Sequence, residues 1–336
     1  MTATAGRTLF TSALLLLVML VAALVSLAVG TVAIPLRDIF AGIGGVRLSQ
    51  EYAIILFSIR LPRVLLAVIA GGGLSLAGAV FQALLRNPLA EPYVLGISSG
   101  GTVGAILAIG LGVGMGYLTI PLASFIGSAG VMALVYTAAS RYGKIEPTTL
   151  LLAGVMVGAF FNAIILVLVS LFHHEVRNAF LWLMGSLASA SYPSLAVVGP
   201  IVAIASSLLF TMSRYYNLIA TGEETAAHLG VDVETVKRTS YLLASLVTGV
   251  VVSVSGVIGF VGLIIPHICR MLFGSDHRIL LPASFLAGAT FLVLVDLLAR
   301  TIISPAEIPV GAVTAMIGAP VFVWLLRRRS ETYMKE

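Results

Sequence analysis

The sequence holds a single cysteine, Cys269, among 336 residues. One thiol excludes a disulfide framework and a thiolate metal cluster. Charge is equally scarce. Asp, Glu, Lys and Arg make up 10% of the chain, whereas a soluble domain carries roughly 25%. No GxxxxGK[ST] segment occurs, so the chain lacks the phosphate loop with which it could itself hydrolyse ATP. No HExxH occurs, and spacing alone yields no Ser/His/Asp set. The apolar runs hold few ionisable residues, which leaves no charged relay for a proton- or sodium-coupled carrier. If this chain drives uphill transport, the energy comes from elsewhere.

What the chain has is hydrophobicity, at 59% of residues. Runs of about 20 apolar residues, enough to cross a bilayer, recur throughout. They do not alternate as barrel strands would. The expected fold is therefore all-α, a polytopic membrane protein forming one transmembrane domain over residues 1–336. Ten spans are expected, near 9–29, 61–86, 93–112, 117–140, 148–172, 193–213, 236–256, 266–275, 279–301 and 309–328. The first exceeds a signal-peptide core of 7–15 residues and reads as a span. The eighth is too short to cross alone. It begins at Pro266, after a Gly256–Ile265 segment that reads as irregular backbone dipping into the interior.

Net charge is +5. In a membrane chain this reports orientation rather than nucleic-acid binding. Ten spans put both termini on one side. With the N-terminus inside, thirteen of the 19 Lys and Arg residues face inward, as the positive-inside rule requires. The expected location is the cytoplasmic (inner) membrane, with both termini cytoplasmic. Arg37, Arg47, Arg60, Arg63, Arg177 and Arg300 fall on the outer face against the trend. Arg37–Glu51 reads as a polar outer loop. Val176–Ala188, with Trp182, reads as a short helix in the outer interface. His173-His174-Glu175 reads as a polar loop at a span mouth and His267 as structural, so no metal site or cofactor is expected. Asp296, inside the ninth span, stands four residues before Arg300, a spacing that permits an ion pair on one helix face.

Shifting the chain by 178 positions superposes Arg60 on Arg238, Gly71 on Gly249, Ser75 on Ser253, Gly78 on Gly256, Pro88 on Pro266 and Gly96 on Gly274. Five spans separate the two copies, an odd number, so they are inverted in the membrane. The expectation is two inverted four-helix repeats, 60–172 and 236–328, plus extra spans. Inverted repeats are common in transporters.

One stretch is out of character. Thr221–Asp232, TGEETAAHLGVD, is polar, helix-prone and placed in the cytoplasm by the charge count. With GVIGFVGLIIPHICRMLFGSDHR, LVDLLAR, EIPVGAVTAMIGAPVFVWLL and RLPRVLLAVIAGGGLSLAGAVFQALLRNPLAEPYVLGISSGG, it resembles the FecCD/BtuC permeases. These are subunits of type II ABC importers for ferric siderophores, haem and vitamin B12. The resemblance covers nearly the whole chain and is weakest before residue 55.

The resemblance implies a homodimer with its pathway between the subunits. It implies two separate ATPase subunits on the cytoplasmic face and a substrate-binding protein on the outer face. Residues 218–232 would be the coupling helices, with Gly222, Glu223, Glu224, Ala226, Ala227, Leu229 and Gly230 at the ATPase contact. Arg60, Arg63 and Arg300 would meet carboxylates of the binding protein, a pairing to which the guanidinium fork is suited. The pathway would be lined by the fifth and tenth spans with help from the third. Ser98, Ser99, Met156 and Asn162 are the candidate lining residues. Ferric siderophore is the first substrate expected, with vitamin B12 and haem as alternatives. An ion-coupled carrier and a non-transporting receptor are the competing classes.

Overall fold

The computed structural model describes residues 5–112, 118–141, 144–172 and 182–333. His173, His174, Glu175 and Arg177 lie outside them, as do residues 176–181 of the expected interfacial helix. Helices dominate. They are α1 (Ala5–Ala28), α2 (Leu36–Ile43), α3 (Gln50–Leu84), α4 (Ile97–Gly110), α5 (Thr119–Ala139), α6 (Pro147–Leu171) and α7 (Tyr192–Thr211). Then follow α8 (Ser213–Ala220), α9 (Glu223–His228), α10 (Val233–Ser255), α11 (Val261–Phe273), α12 (His277–Thr301) and α13 (Val310–Tyr333). Two short strands, β1 (Ser140–Arg141) and β2 (Lys144–Ile145), pair antiparallel between α5 and α6.

Among the described residues, seven helices are long and apolar enough to cross a membrane: α1, α3, α5, α6, α7, α10 and α12. Three shorter apolar helices, over Ile97–Gly110, Val261–Phe273 and Val310–Trp324, fall where the other expected spans lie. Two sequence expectations shift. Arg37–Glu51 is not all loop, since α2 occupies its first half. The second span starts at Gln50, eleven residues before the expected position. Its early turns are π-helical, over Ile54–Arg60, and the Leu61 N–H bonds the Leu56 carbonyl. Pro62 follows directly, offering no N–H and needing room for its ring. The widened turn supplies that room, so the helix runs through from Gln50 where the span was expected to begin near residue 61.

The core forms where α3 lies along α12, α10 and α11. Close approach is bought with glycine. A Cβ on Gly71 would collide with the Gly288 carbonyl oxygen, and one on Gly288 with the Gly71 carbonyl oxygen. Lower on the same helix, a Cβ on Gly78 would strike the Gly262 backbone. Backbones thus touch at these crossings, where dispersion and close packing replace hydrophobic transfer as the driving force in lipid.

Residues 256–260, between α10 and α11, are irregular, but the expected irregular segment Gly256–Ile265 ends there: α11 starts at Val261, not Pro266, and carries Pro266 within it. Phe260 has φ +69, so it cannot extend a helix backwards. Buried backbone groups there need partners. The connection between α3 and α4 supplies them. Phe260 N–H donates to Glu91 Oε1 at 2.5 Å, and Ile258 N–H donates to the Tyr93 hydroxyl at 2.8 Å. Glu91 is almost wholly buried, and burial pushes its carboxyl up to about 7 against the opposing effect of the Phe260 N–H.

Candidate functional site

Two polar clusters sit toward opposite ends of α3. Phe81 meets the Tyr241 ring edge-on near the start of α10. Arg63 lies 18 residues earlier, about 27 Å along the axis at 1.5 Å per residue.

The first cluster is the α8–α9 knob, where the sequence placed its coupling residues. Gly222 (φ +130) and Gly230 (φ +84) bracket α9 in backbone conformations that disfavour any side chain. The Val231 N–H returns to the Ala226 carbonyl at 3.0 Å, closing the turn. Glu223 and Glu224 occupy the first turn of α9, where the positive end of the helix dipole favours them. The residues divide by face. Ala226 is fully buried, whereas Glu224, Ala227, His228 and Leu229 are exposed. Leu229 is 63% exposed, an apolar residue offered to whatever covers the knob. Asp232 then caps α10, accepting from the Thr235 hydroxyl and N–H. Those bonds hold its carboxyl below the ordinary range.

Behind the knob lies a residue that the sequence reading used only as an inside charge. Lys237 is 2% exposed. Its ammonium donates to Glu223 Oε2 at 2.6 Å, the Ile145 carbonyl at 3.0 Å and Glu234 Oε1 at 3.2 Å. Glu234 Oε2 in turn accepts the Ile145 N–H at 2.8 Å. Only Glu234, at i−3, was visible from spacing. The other two partners come from distant segments, so periodicity carried no signal for them. On α8, Asn217 donates to Asp276 Oδ1 at 2.8 Å and accepts the His277 N–H at 2.9 Å, fastening the knob to the start of α12.

The second cluster holds the arginines. Arg63 Nε donates to Asp296 Oδ1 at 2.7 Å, and its NH1 donates to both oxygens of Glu307 at 2.9 Å. Arg300 Nε lies 3.5 Å from Asp296 Oδ2, the i,i+4 pair read from spacing, while its NH2 donates to the Ser26 carbonyl and hydroxyl. Arg60 donates to the carbonyls of Leu27, Ala28 and Val32 where α1 ends. Of the three arginines expected to face a binding protein, Arg60 and Arg63 are buried and Arg300 is partly buried, and all three are already engaged. They tie α1, α3 and α12 together. Glu307, its side chain 45% exposed, is the part of the cluster that meets solvent.

The four candidate lining residues separate. Ser98 and Ser99 are buried at the start of α4, Ser99 Oγ bonding the Gly96 carbonyl at 2.7 Å. Met156 and Asn162 are exposed on α6, Met156 at 63%. The structure does not bring the two pairs together on one surface.

Comparison with known proteins gives these clusters a setting. The FecCD transport family matches residues 16–328. The chain is 42% identical over 283 residues to "Hemin transport system permease protein HmuU" of Yersinia pestis, spanning 82% of this chain and 83% of that protein. It is 43% identical over 276 residues to "Cobalamin import system permease protein BtuC" of Halobacterium salinarum, spanning 82% and 74%. A solved structure of an inward-facing ABC transporter of metal-chelate type superposes with a TM-score of 0.83 at 33% identity, over 95% of this chain and 99% of that one. The chain is a multi-pass membrane permease subunit, not an ATPase, and it belongs to the FecCD transport family.

Proposed function

We propose that this permease works as a homodimer with two ATPase subunits seated on its α8–α9 knobs, and that it imports a bulky metal chelate by alternating access. The observation that carries the reading is the knob itself. It is a short helix held between two left-handed glycines, exposing Glu224, Ala227 and Leu229, in a chain without a phosphate loop. In this reading Gly222, Glu223, Glu224, Ala226, Ala227, Leu229 and Gly230 form the coupling unit, on the cytoplasmic side together with both termini. Glu223 and Ala226 hold its shape while the exposed residues touch the ATPase.

Two inverted repeats, 60–172 and 236–328, would supply the alternation. What supports them is reciprocal packing. Gly288 of α12 lies on Gly71 of α3, and Ser128 of α5 lies against Gly249 of α10. The third helix of each copy thus rests on the first helix of the other.

Docking of a binding protein falls to the arginine cluster. An incoming carboxylate would compete with half-exposed Glu307 for Arg63, while Arg60 and Arg300 hold the frame. Among chelates, ferric siderophore stays the first choice with vitamin B12 and haem as alternatives, since the relatives include permeases named for hemin, cobalamin, Fe(3+) dicitrate and iron(3+)-hydroxamate. The shared chemistry is a metal ion inside a large organic ligand. The lining falls to α6, including Met156 and Asn162, with Ser98 and Ser99 packed behind it. The test is uptake into vesicles holding the permease, its ATPase and its binding protein, comparing labelled haemin, cobalamin and ferric siderophores. ATP-dependent accumulation of one of them is expected. Accumulation that persists without the ATPase would sink the reading and leave an ion-coupled carrier.

A further inference from the structure

Buried ammonium groups are costly unless every proton finds an acceptor. Lys237 meets that condition in an unusual way, because its three acceptors belong to three segments. Glu223 is the first residue of α9, Glu234 lies in the first turn of α10, and Ile145 is the second residue of β2. Glu234 closes the loop by accepting the Ile145 N–H, so both polar groups of that peptide residue are held. The grip passes directly into α6. Glu146 follows Ile145 and caps α6 through the N–H groups of Thr148 and Thr149. Pro147, with its fixed φ, is the first helical residue. No flexible joint separates the held strand from the helix.

We propose that Lys237 is the positioning residue that transmits displacement of α9 to α6. When α9 is pulled, the ammonium must either follow Glu223 or abandon a desolvated ion pair. Following Glu223 drags β2 and the first turn of α6 with it. The knob's tethers to α12 and α6 then differ in strength. The neutral amide of Asn217 reaches α12, donating to the Asp276 carboxylate and accepting the His277 N–H, whereas a full ammonium–carboxylate pair, Lys237 with Glu223, leads toward α6. The stronger tether leads to the helix assigned to the pathway. This inference rests on the importer reading given above, because it needs an ATPase to pull α9.

The experiment uses the full complex in vesicles and reads chelate uptake and ATP hydrolysis side by side. The wild-type complex separates the two ideas. If it hydrolyses ATP yet moves no chelate, the importer reading is at fault, before any variant is made. In Lys237→Met the ATPase is expected to remain bound and to turn over, while uptake per ATP falls about tenfold, within the range of measured coupling energies. A purely structural lysine would lower the amount of folded complex and leave that ratio unchanged. An unchanged ratio in Lys237→Met overturns the proposal. The double variant with Glu223→Gln should fall no further than Lys237→Met alone. A loss equal to the product of the two single losses would overturn the linkage. If Lys237→Met fails to assemble, Glu234→Gln reads the same ratio from the far side of the ammonium. A wild-type ratio there has the same force against the proposal.

Discussion

Arg63 and Asp296 stand 2.7 Å apart, Nε to Oδ1, with 7% and 1% of their side chains exposed. The carboxylate is shared with Arg300, so one anion sits between two cations from two helices. Removing one partner from such a buried set costs about 3–5 kcal/mol, because the remaining charges keep their desolvation and lose their compensation. Asp296→Leu should therefore accumulate poorly in membranes and melt well below wild type in detergent. A melting temperature within a degree or two of wild type would mean that the cluster contributes nothing to the fold.

Charge reversal of Arg60, Arg63 and Arg300 is a poor probe of docking, because all three hold the frame. Glu307 is the better probe. Glu307→Gln weakens the rim competitor while leaving the Asp296 pair in place. If a partner carboxylate displaces Glu307, docking of the binding protein should tighten by about two- to fivefold, the scale of a partly exposed ion pair. Docking measured by surface immobilisation at two salt concentrations checks this. Equal affinity at both would remove the arginine cluster from the interface.

Neighbouring alanines on α9 should behave differently. Ala226 is fully buried and Ala227 is exposed. Ala226→Arg should destroy the knob and lower the yield of folded permease. Ala227→Arg should leave melting unchanged and weaken ATPase retention on purification by at least about tenfold, as the loss of a central contact can. Retention at the wild-type level in Ala227→Arg would place the ATPase elsewhere.

Glu91 gives a pH dependence. Burial raises its folded-state value to about 7, above the ordinary carboxylate range. The folded state therefore holds a proton that the unfolded chain has already released between roughly pH 4.3 and 7. Stability from this group is fully present below that window and is lost as pH rises through it. Thermal melting from pH 5 to 8 should show a decline that Glu91→Gln flattens, since the amide keeps an acceptor for Phe260 N–H without titrating. A parallel decline in both proteins would assign the effect to another group.

The fold class and the α8–α9 knob were legible because each leaves a local mark. Apolar length marks the spans, and TGEETAAHLGVD marks a polar break bounded by glycines. The irregular turn after α10 was legible through Gly256, but its end was misplaced, because Pro266 marks the interior of α11 rather than its start. Long-range partnerships left no such mark. Arg60, Arg63 and Arg300 stood out by type and side, but nothing local showed that Leu27, Ser26 and Glu307 already occupy them. Lys237 stayed hidden because its acceptors at 145 and 223 are brought to it only by the folded chain. The start of α3 was misplaced because a π-helical turn before Pro62 resembles a helix end when read one residue at a time.

The crossing of Gly71 and Gly288 has a consequence for descent. Each residue fills the space that a side chain on the other would need, so neither position can enlarge alone. Over generations the two sites are expected to change together or not at all. A lineage that had accepted alanine at either one should carry a compensating shift in the tilt of α12 against α3. The contact thus constrains the gene as a pair of linked codons more than 200 positions apart.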